Sequence, residues 1–64
     1  MRDYYEVQSQ FYDDGRVVAN VMGIVQANRK PKNRFKSLKR CDVYLDYFPT
    51  KDEAIRFVDE ARFA

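Results

Sequence analysis

The sequence predicts an α+β domain, a three-stranded antiparallel β-meander with one C-terminal α-helix packed on one face of the sheet. Three observations predict it. Side chains alternate in polarity over two stretches, a turn sequence joins the first stretch to a β-branched run, and a helix-start signal precedes an amphipathic segment at the end. The 64 residues are expected to form a single domain, near the lower size limit for one apolar core.

The first two strands are predicted to form a hairpin. Residues 4–12 alternate, and the acidic pair with glycine at 13–15 can supply the positive φ angle of a tight turn. The β-branched run 16–26 then pairs back on the first strand, and Gly23 within it indicates a bulge. One face of the first strand is expected to carry Tyr5, Val7, Ser9 and Phe11.

The third strand is predicted over residues 41–48, where the alternation resumes. The side chains expected to face the core are Cys41, Val43, Leu45 and Tyr47. Thr50 and Glu53 then have the spacing of a capping box, which predicts the start of a helix. The apolar face predicted for this helix consists of Ala54, Ile55, Phe57, Val58 and Ala61.

The composition argues against catalysis and against bound cofactors or metals. The chain has no histidine and one cysteine, so the usual general bases and a four-ligand zinc site cannot be assembled. No apolar run approaches the roughly 20 residues of a membrane helix. The first residues do not begin a signal peptide, because no apolar stretch follows the charged positions. We therefore expect a cytoplasmic binding protein that is not an enzyme and does not contact a membrane.

Positive charge is concentrated in one part of the chain. Residues 15–41 contain eight basic and no acidic residues, whereas the rest contains four basic and ten acidic ones. The segment from about 28 to 40 is predicted to be a long basic loop, and loops of that length are usually functional or disordered. The residues expected to bind nucleic acid are Arg29, Lys30, Lys32, Arg34, Phe35, Lys36, Lys39 and Arg40.

This loop has two interpretations. In the first, its cations bind phosphates and release counterions, its arginines fork onto phosphate or guanine, and Phe35 stacks on an unpaired base. In the second, the loop is solvated and Phe35 and Leu38 tuck one helical turn against the core. An acidic protein partner would also suit the charge.

A second candidate surface is the sheet face that one helix leaves uncovered. Aromatic and aliphatic side chains on such a face form either ordinary cross-strand pairs or an interface with a protein partner or a second copy of the chain. The residues expected on this face are Tyr4, Tyr12, Met22, Ile24 and Tyr44. A protein-interaction module or homodimer is thus the alternative to a nucleic-acid-binding module.

The stretch DYFPTKDEAIRFVDEA resembles the strand-turn-helix ending of the AP2-like arm-binding domains of phage and transposon integrases. Phe48, Thr50 and Ala54 match that family's aromatic, hydroxyl and early helical alanine. The resemblance implies a β-β-β-α fold whose exposed sheet face reads the DNA major groove. The chain also resembles small uncharacterised orphan proteins of bacterial mobile elements, for which no activity is implied.

Acidic residues are expected on the sheet face that such domains use for DNA. They are Glu6, Asp42 and Asp46, and phosphates would be repelled by them. The basic loop is therefore expected to make most of any nucleic-acid contact.

Overall fold

The computed structural model describes residues 1–63 and contains four strands and one helix. The elements are β1 (Arg2–Tyr12), β2 (Val17–Ala27), β3 (Arg34–Ser37), β4 (Cys41–Phe48) and α1 (Lys51–Arg62). The α+β class, the antiparallel sheet and the C-terminal helix are confirmed. The prediction of three strands is wrong, because β3 lies inside the segment expected to be a loop.

The strand order is β2-β1-β4-β3, with every neighbouring pair antiparallel. The predicted meander would place the second strand in the centre, whereas β1 pairs with both β2 and β4 here. The connection 28–33 therefore passes the end of the sheet and delivers β3 to the edge opposite β2. This crossing gives the basic segment its position.

The predicted hairpin between β1 and β2 is confirmed. Gly15 has φ 92°, which only glycine adopts without strain, and its N–H donates to the Tyr12 carbonyl at 3.0 Å. The Tyr12 N–H donates to the Arg16 carbonyl at 2.9 Å. The Asp14 carboxylate accepts from the Arg16 backbone N–H and from its guanidinium, which holds the pKa of Asp14 below its ordinary value.

The irregularity predicted at Gly23 is also present. Glu6 pairs with Gly23 and Val7 pairs with Val21, which leaves Met22 as the extra residue of a bulge. Beyond it the alternation of β2 is shifted by one residue. Ile24 consequently lies opposite Tyr5, on the face that α1 covers.

The strand β3 was not predicted because it has only four residues and no buried side chain, so its sequence lacks the apolar pattern of a strand with a core-facing side. Its pairing with β4 sets Arg34 against Leu45, Phe35 against Tyr44 and Lys36 against Val43. The alternative of a helical turn tucked against the core is wrong. Phe35 is in a strand and 59% exposed, and Leu38 follows that strand in the turn and is 44% exposed.

The helix begins as its capping box predicts. Thr50 is extended, and its Oγ1 accepts from the Glu53 backbone N–H at 3.2 Å. The core between α1 and the sheet consists of Val7, Ala19, Ala54, Val58 and Ala61, with Tyr5, Val17, Phe48 and Phe57 packed around it. Within residues 1–63, no helix is both long and apolar enough to cross a membrane.

The helix covers only part of one sheet face. It contacts β2 most extensively, β1 and β4 less, and β3 not at all among the described elements. We call the side that carries Val7 and α1 the helix face and the opposite side the far face. The facing predicted for β4 is wrong with respect to α1, because its pairing with β1 sets Tyr5 opposite Phe48 and so turns the even-numbered residues to the helix face. Cys41 and Tyr47 are nevertheless buried, as expected, on the far face. Phe48 packs there against Phe57, with ring centroids 5.1 Å apart.

We expect Thr50→Ala to lower the free energy of unfolding by about 1 kcal/mol, because the substitution leaves the Glu53 N–H without its cap. Urea denaturation measures this change. Thr50→Ser keeps a hydroxyl acceptor and should remain close to the parent protein. Equal stability of the alanine and serine variants would contradict the assigned cap.

Candidate nucleic-acid interface

The predicted cations lie along one edge of the sheet and around its two ends. We call this group the basic edge, and it consists of Arg29, Lys30, Lys32, Arg34, Lys36, Lys39 and Arg40. All seven side chains belong to exposed residues. Within residues 1–63, the only ion pair closer than 4.0 Å joins Arg16 Nε to Asp14 Oδ2 at 2.8 Å. Within that part of the chain, no member of the basic edge is therefore held in a direct ion pair.

The centre of the basic edge is built by β3. Arg34 and Lys36 alternate onto the far face, opposite Leu45 and Val43 of β4. Together with Phe35 these four residues line a groove of about 350 Å³. Two cations therefore flank an aliphatic floor, an arrangement that can hold an anionic group beside an apolar one.

Two members of the basic edge lie apart from this centre. Lys30 extends to the helix face, where its Nζ is 6.0 Å from the centroid of the Phe48 ring and its charge acts on Asp46. Arg40 lines a groove of about 470 Å³ together with Asp13 and Asp14 of the first turn. Arg40 thus lies in a region of mixed charge.

The far face carries less negative charge than the sequence predicted. Asp42 pairs with Phe11 and Asp46 pairs with Val7, so both carboxylates belong to the helix face and the prediction that they oppose DNA on the open face is wrong. Glu6 is on the far face as expected, where its Oε2 accepts from the Tyr47 hydroxyl at 2.9 Å.

Tyr47 connects this hydrogen bond to the basic edge. Burial and the neighbouring Glu6 raise the pKa of Tyr47, while the positive charge of Arg34 acts in the opposite direction. Tyr47 thus remains a neutral donor to Glu6 around neutral pH.

The five residues of the predicted interface do not share one surface. Tyr4 is buried at 5% exposure, and it lies with Tyr12 on the far face. Met22 and Ile24 are exposed on the edge strand β2, while Tyr44 pairs with Ser9 on the helix face. The expectation of a single uncovered aromatic face is therefore wrong, because register and the bulge distribute these side chains over three places.

An exposed aromatic row occupies the helix face beyond α1. Tyr44 stands between Phe11, at 5.5 Å between ring centroids and 87° between planes, and Phe35, at 4.8 Å and 45°. Phe35, predicted to stack on bases, thus points to the opposite side of β3 from Arg34 and Lys36. Both sides remain accessible to a ligand lying along the edge, since β3 has no outer neighbour.

A groove of about 360 Å³ lies between this row and α1, and sequence reasoning did not identify it. Its lining consists of Ser9, Phe11, Tyr44, Asp46 and Phe57. Ser9 is fully buried, and its hydroxyl has no hydrogen-bond partner in the described chain. Desolvation by burial raises the pKa of the Asp46 carboxyl, and the charge of Lys30 offsets part of this effect.

The chain was compared with protein-family models, with curated proteins and with solved structures, and none of the three comparisons finds a match.

We expect Asp46→Asn to raise the free energy of unfolding at neutral pH. A carboxyl whose pKa is raised by folding stabilises the fold when protonated and loses that contribution as the pH rises through the folded-state pKa. The gain should therefore disappear below about pH 4, the ordinary range for aspartate. Urea titrations across this pH range measure the difference.

Asp42→Asn is the matched control for this substitution. It lies on the same strand and face, and its carboxylate already accepts from the Ser37 hydroxyl at 3.0 Å. We expect no gain in stability from it. A neutral-pH loss of stability in Asp46→Asn would show that its carboxylate is compensated and would contradict the assignment.

Proposed function

We propose that this protein is a small nucleic-acid-binding module that engages phosphates with its basic edge. The observation that carries the proposal is a row of exposed cations extending along β3 and past both of its ends, none of which is in a direct ion pair with another described residue. Each phosphate neutralised by such a cation releases condensed counterions, so a few contacts give substantial affinity that is indifferent to sequence.

The β3 strand supplies fixed positions for this contact. Arg34 and Lys36 are two residues apart on one side of a strand, and the groove between them and β4 has the aliphatic floor of Val43 and Leu45. A guanidinium forks onto phosphate oxygens, and the floor accommodates a sugar or the edge of a base. Arg29, Lys32 and Lys39 add charge on the flanking connections.

The far face extends this proposed surface toward the centre of the sheet. Asp42 and Asp46 lie on the opposite side, and Glu6 already accepts a hydrogen bond from Tyr47. The repulsion expected from the sequence is therefore reduced on this face. A sheet-face contact of the kind implied by the resemblance to AP2-like arm-binding domains is compatible with this charge distribution.

Binding of a mixed-sequence DNA duplex and of oligo(dT) should weaken log-linearly with salt, with a slope of about −3 to −4 if roughly four phosphates are engaged. Replacing Arg34 and Lys36 together by Glu should reduce the affinity and make the salt slope shallower by about 2. Fluorescence anisotropy at several salt concentrations measures both quantities. A preference for oligo(dT) would indicate stacking on Phe35 or Tyr44.

The control variant replaces Lys51 and Arg56, two exposed cations of α1, by Glu. It changes the net charge equally and should bind like the parent protein. Equal losses in both variants would mean that only net charge matters. Absence of binding at low salt would refute the proposed function.

A homodimer is the second candidate function, and the outer edge of β2 favours it. Among the described strands it pairs with β1 alone, so its outer edge presents backbone groups outside the sheet beside Met22 and Ile24, which are 55% and 57% exposed. A second copy could pair there about a two-fold axis.

Light scattering should then give a mass that increases with protein concentration, and Ile24→Lys should keep the protein monomeric. Leu38→Lys, which changes an exposed aliphatic residue in the turn between β3 and β4, is the control and should leave association intact. A monomeric mass at all concentrations would exclude this candidate.

A further inference from the structure

The groove between α1 and β4 combines aromatic walls with a carboxylate that has no direct ion pair within residues 1–63. Phe57 of the helix forms one side, Phe11 and Tyr44 of the sheet form another, and Asp46 lies between them. We infer that this groove binds a small organic cation of the quaternary ammonium class, with Asp46 as its counter-ion. The lining of this groove contains no member of the basic edge, and Tyr44 is the one residue it shares with the base stacking considered for oligo(dT).

The aromatic walls have the geometry that such a cation uses. The planes of Phe11 and Tyr44 meet at 87°, so they form a corner rather than a stack. Phe35 packs against Tyr44 and Phe48 packs against Phe57, with ring centroids 4.8 Å and 5.1 Å apart, so both walls are held by a second ring. Aromatic faces attract cations through the ring quadrupole, and several rings around one site are the known means of binding quaternary ammonium groups.

The charge of Asp46 selects a cation over an anion. No basic side chain lies within 4.0 Å of its carboxylate in residues 1–63, and the pKa of this group is raised by desolvation. An ionised carboxylate in this position has no direct ion pair within residues 1–63 and feels Lys30 only at longer range, so an ammonium ligand would supply a direct partner. The chain's own Lys30 approaches the same region, with its Nζ 6.0 Å from the Phe48 centroid.

The size and polarity of the groove favour a methylated ammonium over a primary one. A volume of about 360 Å³ is at the lower end for small-molecule sites. A primary ammonium brings three donors that need acceptors, whereas the lining offers mainly ring carbon atoms around one carboxylate. A trimethylammonium group buries apolar surface against these rings and keeps its charge near Asp46.

The Ser9 hydroxyl gives the floor of the groove an unused hydrogen-bonding group. It is fully buried and unpartnered in the described chain, and a buried hydroxyl without a partner costs free energy. Choline carries a hydroxyl two carbon atoms from its ammonium group, so it is the probe that offers this floor a polar group.

Titration with choline, followed by ¹H–¹⁵N correlation spectra, tests the inference. Saturable shifts are expected at the amides of the groove-lining residues. The neutral isostere 3,3-dimethylbutan-1-ol has the same shape without the charge and should bind at least about fivefold more weakly. Comparable binding of both compounds would show that the groove is merely apolar and would overturn the inference.

Two variants distinguish binding at the groove from effects of unfolding or of net charge. Asp46→Asn should weaken choline binding by at least about fivefold although the same change is expected to stabilise the fold, so lost binding cannot be attributed to unfolding. Asp42→Asn removes an equal charge from the same face and should bind like the parent protein. Shifts that do not saturate, or that fall on the acidic residues of α1, would also overturn the inference.

Discussion

The width of a single helix limits how this protein is organised. An α-helix is about 10 to 12 Å across, whereas four strands spaced about 4.8 Å apart form a sheet of roughly 19 Å. Twelve helical residues therefore cover β1 and β2 and leave β3 bare. Small side chains at Ala19, Ala54 and Ala61 bring the helix close to the sheet on the covered side. On the same face, but beyond the edge of the helix, the rings of Phe11, Tyr44 and Phe35 remain accessible to ligands. In a wider domain they would be core residues.

Local chemistry explains which parts of the fold were predictable. Gly15 and the capping pair Thr50 and Glu53 act through their immediate neighbours, so their signals can be read from a short window of sequence. The bulge near Gly23 is of the same kind. Strand order cannot be read in this way, because it depends on where the connection 28–33 passes in space. The same alternation of polarity is compatible with the predicted meander and with the observed order β2-β1-β4-β3.

Which set of alternating β4 side chains faces the helix also could not be predicted. Both of its faces carry large apolar groups, such as Tyr44 and Phe48 on one and Leu45 and Tyr47 on the other. Alternation shows that these sets are opposite but not which set meets the helix. The contact between Phe48 and Phe57 and the pairing with β1 decide this, and both involve residues distant in sequence.

The two candidate sites also differ in how far they can be predicted from the sequence. The basic edge is visible in composition, because seven of thirteen consecutive residues are Lys or Arg. The groove beside α1 assembles Ser9 and Phe11 from β1, Asp46 from β4 and Phe57 from α1, and no local pattern links them. Two features mark the groove in the described chain: a buried hydroxyl without a hydrogen-bond partner and a carboxylate whose pKa is raised by desolvation. Both are costly in a small domain, where one apolar core rarely supplies more than about 5 kcal/mol.

The short strand β3 separates two surfaces of opposite charge. Its side chains alternate, so Arg34 and Lys36 face one side while Phe35 joins the aromatic row on the other. An anion is attracted to the first side, and the carboxylates of Asp42 and Asp46 make the second side suitable for a cation. Phe35 reaches the groove only through its contact with Tyr44, because the groove is lined by residues of β1, β4 and α1. The groove beside β3 and the groove beside α1 are therefore lined by different residues.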